Sequence, residues 1–296
     1  MLLRPDLAAA ARLVTGPPVT RFAPSPTGYL HIGHIVNAIY TWGIARALGG
    51  RVLLRIEDHD RIRSRAEYEA AIVEDLDWLG FVPDEGRYPL MRQSDTPEIY
   101  RDALDTLKRT AHVFGCDCSR TDIGGERYVG RCRTRALSDA PGRGVRVQFD
   151  AKTVQAHDLL AGPLEQTPSE QCGDLLLRDR DGHWTYQFAV TVDDFRHGVT
   201  LVVRGADLLA STGRQIMLAS LLGRSTAPVF LHHPLIVGKS GEKLSKSAGD
   251  TGVRELRAQG LGPEAVIGRA AAAIGLIASP RAIRASEVPS LFLLTT

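Results

Sequence analysis

Residues 19–47 set out a strand, a proline-locked turn and a helix with almost no chain left between them. Val19 to Ala23 is an apolar-rich run of strand length, and Pro24-Ser25-Pro26-Thr27-Gly28 stops it as a rigid turn. His31-Ile32-Gly33-His34 follows, with apolar residues at 32, 35, 36, 39 and 42, a helical period that lasts until Gly49-Gly50. Arg51 to Ile56 reads as a second strand. Ala66 to Leu79 reads as a second helix, with Ile72, Val73, Leu76 and Leu79 on one face. A β-α-β-α order implies parallel strands joined by right-handed crossovers. The fold class is therefore α/β, a doubly wound (Rossmann-type) parallel sheet.

The rest of the chain is organised around that sheet. Residues 1–18 read as a loose N-terminal lead and 19–110 as the first half of the sheet domain. Residues 111–185, rich in cysteine, glycine and arginine, read as an insertion. The sheet pattern is expected to return with a strand at Tyr186 to Val192 and another at Val199 to Val203. Ser211 to Leu222 reads as a helix, and Val229 to Val237 leads into a lysine-containing loop, so that 186–250 forms the second half of the domain. Residues 251–296 are helix-like but interrupted by Gly260, Gly262, Pro263 and Pro280.

Composition narrows the function classes. With 296 residues, 44% of them hydrophobic and 24% charged, the chain is long enough for one or two ordinary globular domains. A net charge of +2 carries no whole-molecule argument for nucleic acid. Locally, however, seven arginines against three acids lie between Arg120 and Arg146, suited either to phosphates or to a solvated face. Four cysteines, three of them clustered, make a poor disulfide framework. No apolar run reaches bilayer-spanning length, and Leu7 to Val14 is short and broken by Arg12. These points argue for a cytoplasmic protein with no membrane partner, and the lack of an apolar seam for a monomer.

In open α/β sheets ligands bind beyond the carboxyl ends of the strands, where helix N-termini point. His31 and His34 share a helical face there, and Gly33 lets a nucleotide approach the backbone. Their imidazoles can donate hydrogen bonds to ATP phosphate oxygens as charge builds in a transition state, although capping or packing would use the same pair. Lys243 and Lys246 lie among Gly238, Ser240, Gly241 and Ser245, a composition suited to a loop that closes over triphosphate. A solvated surface loop is the plainer alternative. Together the two segments describe attack of a carboxylate on the α-phosphate of ATP, with positioning and electrostatics carrying the rate.

HIGH followed by KLSKS resembles a class I aminoacyl-tRNA synthetase. RFAPSPTGYLHIGH, LLRIEDHD, YQFAVTVDD and VVRGADLL are similar to the glutamyl/glutaminyl branch, over roughly residues 19 to 260. The chain stops about fifty residues after KLSKS, where full glutamyl-tRNA synthetases continue into an anticodon-binding part. That shortness and the cysteine cluster resemble the glutamyl-Q tRNA(Asp) synthetase family. The resemblance implies activation of glutamate by ATP, with Mg²⁺, in the absence of tRNA, and its transfer to queuosine at the wobble position of tRNA(Asp). It places His31, Gly33, His34 and Lys246 on ATP, with Lys243 beside them. Arg21, Phe22, Ala23, Pro24 and Ser25, with Glu57, Tyr186 and Arg204, would form the glutamate pocket. Two arginines and one acid suit a substrate with two carboxylates and one amine.

Cys116, Cys118 and Cys132, with Tyr128, resemble that family's structural Zn²⁺ site. Three thiolates suit zinc, whereas tyrosine is an uncommon ligand, so His112, Asp117 or water remain alternatives for the fourth position. Cys172 reads as a space-filling residue. Three other functions stay open: a shortened conventional glutamyl-tRNA synthetase, a small-molecule adenylyltransferase, and a catalytically idle paralogue that only binds tRNA.

Overall fold

A computed structural model describes residues 3–236 and 252–293. Its strands are β1 (Val19–Phe22), β2 (Arg51–Leu54), β3 (Val113–Cys116), β4 (Gly144–Val147), β5 (Val154–Asp158), β6 (Gly162–Gln166), β7 (Leu175–Arg178), β8 (Leu201–Gly205) and β9 (Val229–His233). Its helices are α1 (Leu7–Leu13), α2 (Ile32–Ala47), α3 (Ala66–Leu79), α4 (Pro97–Thr110), α5 (Arg120–Ile123), α6 (Pro168–Gln171), α7 (Tyr186–Arg196), α8 (Thr212–Leu221), α9 (Val253–Ala258) and α10 (Pro263–Ala273).

β1 pairs with β2 in parallel, and β8, β9 and β5 run parallel to one another with β6 closing the far edge. β1 abuts β8, where Thr200 N donates to the Val19 carbonyl (2.9 Å) and Val19 N to Thr200 Oγ1 (3.0 Å). Helix α2 packs on this parallel layer. Nearly every residue from Ile32 to Ala45 is buried, because α10 and the 3₁₀ segment Ala285–Leu291 cover its outer side. A helix that is apolar all round belongs inside a core. Gly43 is required there: a Cβ at this position would run into the Phe292 ring.

Three expectations need correction. Tyr186 to Val192 is the start of helix α7, not a strand. A short run of apolar and β-branched residues does not distinguish a buried strand from a helix buried on most sides. Here Phe188 through Asp194 are all buried, against α4, α8 and β7. The stretch 111–185 is also not a single insertion. β3, β4 and β7 form a separate antiparallel sheet, whereas the β5–β6 hairpin returns to the parallel layer beside β9. The lead is not loose either. Asp6 caps α1 by accepting from Ala8 N and Ala9 N, and the Tyr40 hydroxyl donates to the Leu3 carbonyl (2.8 Å). Among the described residues no helix is long and apolar enough to cross a membrane.

Candidate active site

The turn 24–28 delivers His31 to the N-cap of α2. Its Nδ1 accepts from Gly33 N (3.1 Å), while His34 Nδ1 accepts from His31 N (3.1 Å). The two rings lie 3.9 Å apart between centroids. The capping contacts observed here therefore do not compete with the phosphate-facing use expected of the same pair. An imidazole whose Nδ1 accepts from a backbone N–H carries its proton on Nε2, so each ring presents a donor. Gly33 is required for this arrangement, since a Cβ would sit 2.9 Å from His31 Cε1.

A cleft of about 640 Å³ opens beside this turn, at the carboxyl ends of β1 and β8. It is lined by Arg21, Phe22, Ala23, Pro24 and Ser25, by Glu57, Tyr186 and Arg204, and by His31, Gly33 and His34. The ends of β1 and β2 are stitched together here: Ser25 Oγ donates to the Glu57 carbonyl (2.9 Å) and Glu57 N to the Pro24 carbonyl (3.0 Å). Phe22 supports the floor by packing on Trp42. Lys243 and Lys246 lie outside the described residues. The chain is described up to Ile236, which lines the cleft, and again from Gly252, which bridges to His31 while Val253 N donates to the Leu30 carbonyl (2.9 Å).

The charges in this cleft are not equivalent. Arg21 Nε donates to both oxygens of Asp194 (3.0 Å each), and Arg55 binds Asp194 (2.9 Å) and Glu57 (2.9 Å). Burial alone would push the Asp194 carboxyl up, but the two guanidiniums hold it below the usual carboxylate range. Arg204 differs: it donates to His232 (2.9 Å), Gln215 (2.6 Å) and Thr212 (3.0 Å), and its guanidinium also meets the Tyr186 hydroxyl. No carboxylate pairs with this buried guanidinium among the described residues, and burial pulls its pKa down. Tyr186 faces both Arg204 and Glu57, and burial followed by the Glu57 charge pushes its hydroxyl up.

Sequence reasoning missed the rest of the cleft. Asn37 follows Gly33 and His34 at helical spacing, the one signal that could have found it. It bonds His233 Nε2 (3.0 Å), and His233 Nδ1 lies 3.0 Å from the Pro234 carbonyl, so the ring proton is on Nδ1 and the Asn37 amide donates. Asp207, Leu208, Leu235 and Ile236 complete a wall that is largely apolar with a few polar groups. Asp207 stands within VVRGADLL, three residues after Arg204.

Away from the cleft, the sulfurs of Cys116, Cys118 and Cys132 all lie within 4.8 Å of one another, with Cys118 and Cys132 3.6 Å apart. Tetrahedral Zn–S bonds of about 2.3 Å separate sulfurs by roughly 3.8 Å, so the cluster fits a single ion. Tyr128 Oη is 3.5 Å from Cys116 Sγ and accepts from Cys132 N (2.8 Å). Asp117 approaches Cys132 Sγ (3.3 Å) but is paired with Arg135 (2.7 Å), and His112 bonds Gln148. Burial tends to raise the Cys116 thiol, yet hydrogen bonds from Tyr128 and Arg146 bring it below its ordinary value. Cys172 is buried in a second core, built by α4, β4, β7, α7 and α8, with its thiol on the Pro168 carbonyl (3.2 Å). The arginine-rich stretch is less charged than its count suggests. Arg133 and Arg135 pair with Asp174 and Asp117, and Arg146 lies buried over the Tyr128 ring.

The family model for the catalytic domain of class I tRNA synthetases (E and Q) matches residues 18–276. The chain belongs to this family. As a class I synthetase catalytic domain it is a ligase that forms an aminoacyl-adenylate. It is 39% identical over 296 residues to the glutamyl-Q tRNA(Asp) synthetase of Symbiobacterium thermophilum, covering 92% of this chain and 91% of the relative. It is 41% identical to the glutamate–tRNA ligase of Nitratidesulfovibrio vulgaris over 84% of the chain, but spans only 55% of that relative's length. Among solved structures, the glutamate tRNA ligase of Elizabethkingia meningosepticum, in complex with its amino acid, superimposes with a TM-score of 0.77 at 26% identity, over 94% of this chain and 64% of that one.

Proposed function

We propose that this synthetase activates glutamate with ATP, without tRNA, and transfers the glutamyl group to the queuosine base at the wobble position of tRNA(Asp). The observation that carries the amino-acid assignment is Arg204. A buried guanidinium with only neutral side-chain partners is costly unless an anion completes it, and a substrate carboxylate is that anion. Glu57, beside it, suits the substrate's ammonium group, and Tyr186 adds a hydroxyl.

A substrate carboxylate oxygen then attacks the α-phosphorus of ATP, the bond to the bridging oxygen breaks, and pyrophosphate leaves. His31 and His34 donate from Nε2 to phosphate oxygens at the α2 N-terminus, where the helix dipole favours anions. The wall of Leu208, Leu235 and Ile236 suits the adenine ring. Lys243 and Lys246 stabilise departing pyrophosphate as point charges, with Mg²⁺ bound to the triphosphate. Cys116, Cys118 and Cys132, with Tyr128 as fourth ligand, would hold a structural Zn²⁺, which would tie β3 to the loop carrying Cys132.

The acceptor assignment is supported by the 39% identity that spans 91% of the glutamyl-Q relative. It is tested by supplying ATP and labelled glutamate with either queuosine-containing tRNA(Asp) or unmodified tRNA(Glu). Label on tRNA(Asp) alone, at an alkali-labile bond that survives removal of the 3′ end, is the expected result. Label at the 3′ end of tRNA(Glu) would make the protein a conventional glutamyl-tRNA synthetase.

A further inference from the structure

Three neighbouring strands each place one polar side chain at the carboxyl end of the parallel layer, and the three form a continuous buried chain. Asp158 ends β5, His232 lies on β9, and Arg204 lies on β8 as the register partner of His232. Asp158 is 3% exposed, His232 0% and Arg204 4%. Asp158 Oδ1 accepts from Leu160 N (2.9 Å) and Ala161 N (2.7 Å), and Oδ2 accepts from His232 N (2.9 Å). The same Oδ2 lies 2.7 Å from His232 Nδ1, and His232 Nε2 lies 2.9 Å from Arg204 Nε.

These contacts allow one proton arrangement. Arg204 Nε carries a hydrogen and accepts nothing, so His232 Nε2 is the lone-pair nitrogen. The ring proton is then on Nδ1, donated to the Asp158 carboxylate. The imidazole is neutral and locked in one tautomer. Gln215 Oε1 and Thr212 Oγ1 take one hydrogen from each terminal nitrogen of Arg204, and the Gln215 amide is held by Gln187 (2.8 Å). Three of the five guanidinium hydrogens are thus used, which fixes the plane and leaves two for the Tyr186 hydroxyl and an incoming anion.

The contrast with Arg21 gives the arrangement its meaning. Arg21 Nε binds a carboxylate directly and is neutralised in place by Asp194. At Arg204 the corresponding position is taken by an imidazole, and the carboxylate stands one residue further away. A directly bound aspartate would compete with an incoming anion, whereas a neutral lone pair orients the guanidinium without doing so.

We propose that Asp158 and His232 are positioning residues for the amino-acid site: the carboxylate sets the imidazole tautomer, and the imidazole holds Arg204 at the angle at which it receives the substrate carboxylate. This rests on the reading of Arg204 as the carboxylate receptor.

The test is amino-acid-dependent pyrophosphate–ATP exchange on the full chain. Wild-type protein is first assayed with each amino acid, and the one it activates is used for the variants. An error in the glutamate assignment then shows in the wild type, and an error in the positioning role shows in the variants. His232→Gln keeps an acceptor within reach of Arg204, whereas His232→Asn is too short to supply one. The glutamine variant should stay within about 3-fold of wild-type KM, and the asparagine variant should raise KM for the amino acid about 10- to 100-fold with kcat much less affected. Asp158→Asn should raise KM likewise, because its amide would drive His232 into the tautomer that opposes one N–H to another at Arg204. Equal KM for both His232 variants, or wild-type KM in Asp158→Asn, would overturn the proposal. Nitrogen-15 NMR of the wild-type histidines provides a readout independent of any variant's folding. His232 should be protonated at Nδ1 and bare at Nε2 near neutral pH, and the reverse tautomer would refute the assignment.

Discussion

Arg204 and Gly33 make sharp demands on single atoms. Removing the Arg204 guanidinium leaves Thr212, Gln215 and His232 facing a cavity without their shared donor and, on the function proposed above, removes the cation that meets the substrate carboxylate. Arg204→Ala should weaken glutamate binding about 100-fold or more, a loss typical of an unpaired buried charge, and calorimetry with glutamate would measure it. An unchanged affinity would remove Arg204 from the pocket. Gly33→Ala places a methyl group against the His31 ring, which must rotate away from Gly33 N and lose its fixed tautomer. Glutamate-dependent exchange should fall about 10- to 1,000-fold while glutamate binding is retained, because the proposed function gives the affected ring to ATP. Calorimetric glutamate affinity that falls in parallel with exchange would contradict that division.

Helix α3 carries a defect that selection for packing alone would not keep. Asp75 is fully buried within it, and neither carboxylate oxygen has a hydrogen-bond partner among the described residues. Burial raises its pKa from 3.8 to about 6, with Arg254 offsetting part of that rise. A carboxyl group whose pKa is raised on folding stabilises the folded state only when protonated, so this site opposes folding increasingly as pH rises from about 4 to about 6. Asp75→Asn should therefore stabilise the protein at pH 7 by about 1–3 kcal/mol and make little difference near pH 4. Denaturant melts at the two pH values test it, and an asparagine variant no more stable at pH 7 would mean that the carboxylate has a partner in solution. Helix α7 shows what an element contributes beyond its own residues. Had Tyr186 to Val192 been a strand, side chains would alternate across a sheet. As a helix it sends Phe188 and Ala189 into the second core and brings Asp193 and Asp194 to Arg55 and Arg21.

Across the whole molecule, two histidines, His233 buried and His197 half-buried, tie distant segments together and set an acid limit. His197, at the end of α7, accepts from Arg55 (3.5 Å), and His233 joins β9 to Asn37 on α2. Burial lowers the pKa of both from 6.5 to about 4, helped at His197 by Arg55 and Arg196. In this range the unfolded chain binds protons that the folded chain refuses. The stability contributed by neutral His197 and His233 is complete above about pH 6.5 and is lost as pH falls through about 4. Thermal melting should shift downward between about pH 6.5 and pH 4, and His233→Gln should flatten part of that slope while lowering stability at pH 7. Asp75 opposes this trend in the same window, so the deciding comparison is with the variant: identical pH dependence of melting in wild type and His233→Gln would contradict the neutral assignment of His233.

The strand–turn–helix at 19–47 was legible from sequence because its determinants are local: prolines fix the turn, a 3.6-residue period marks the helix, and glycines end it. The same holds for Arg21, Ser25, Glu57, Tyr186 and Arg204 as cleft residues, each found within a recognisable string. The close spacing of Cys116, Cys118 and Cys132 likewise announced a cluster that folding did bring together. The electrostatic division of labour was not legible. Whether an arginine is paired with a carboxylate or held by neutral groups depends on partners 173 residues away for Arg21 and 28 for Arg204. Only the packing of α7 and the parallel registration of β5, β9 and β8 determined those partners. Local chemistry could nominate the charges, but a guanidinium's function is set by which of its hydrogens the tertiary structure has already used.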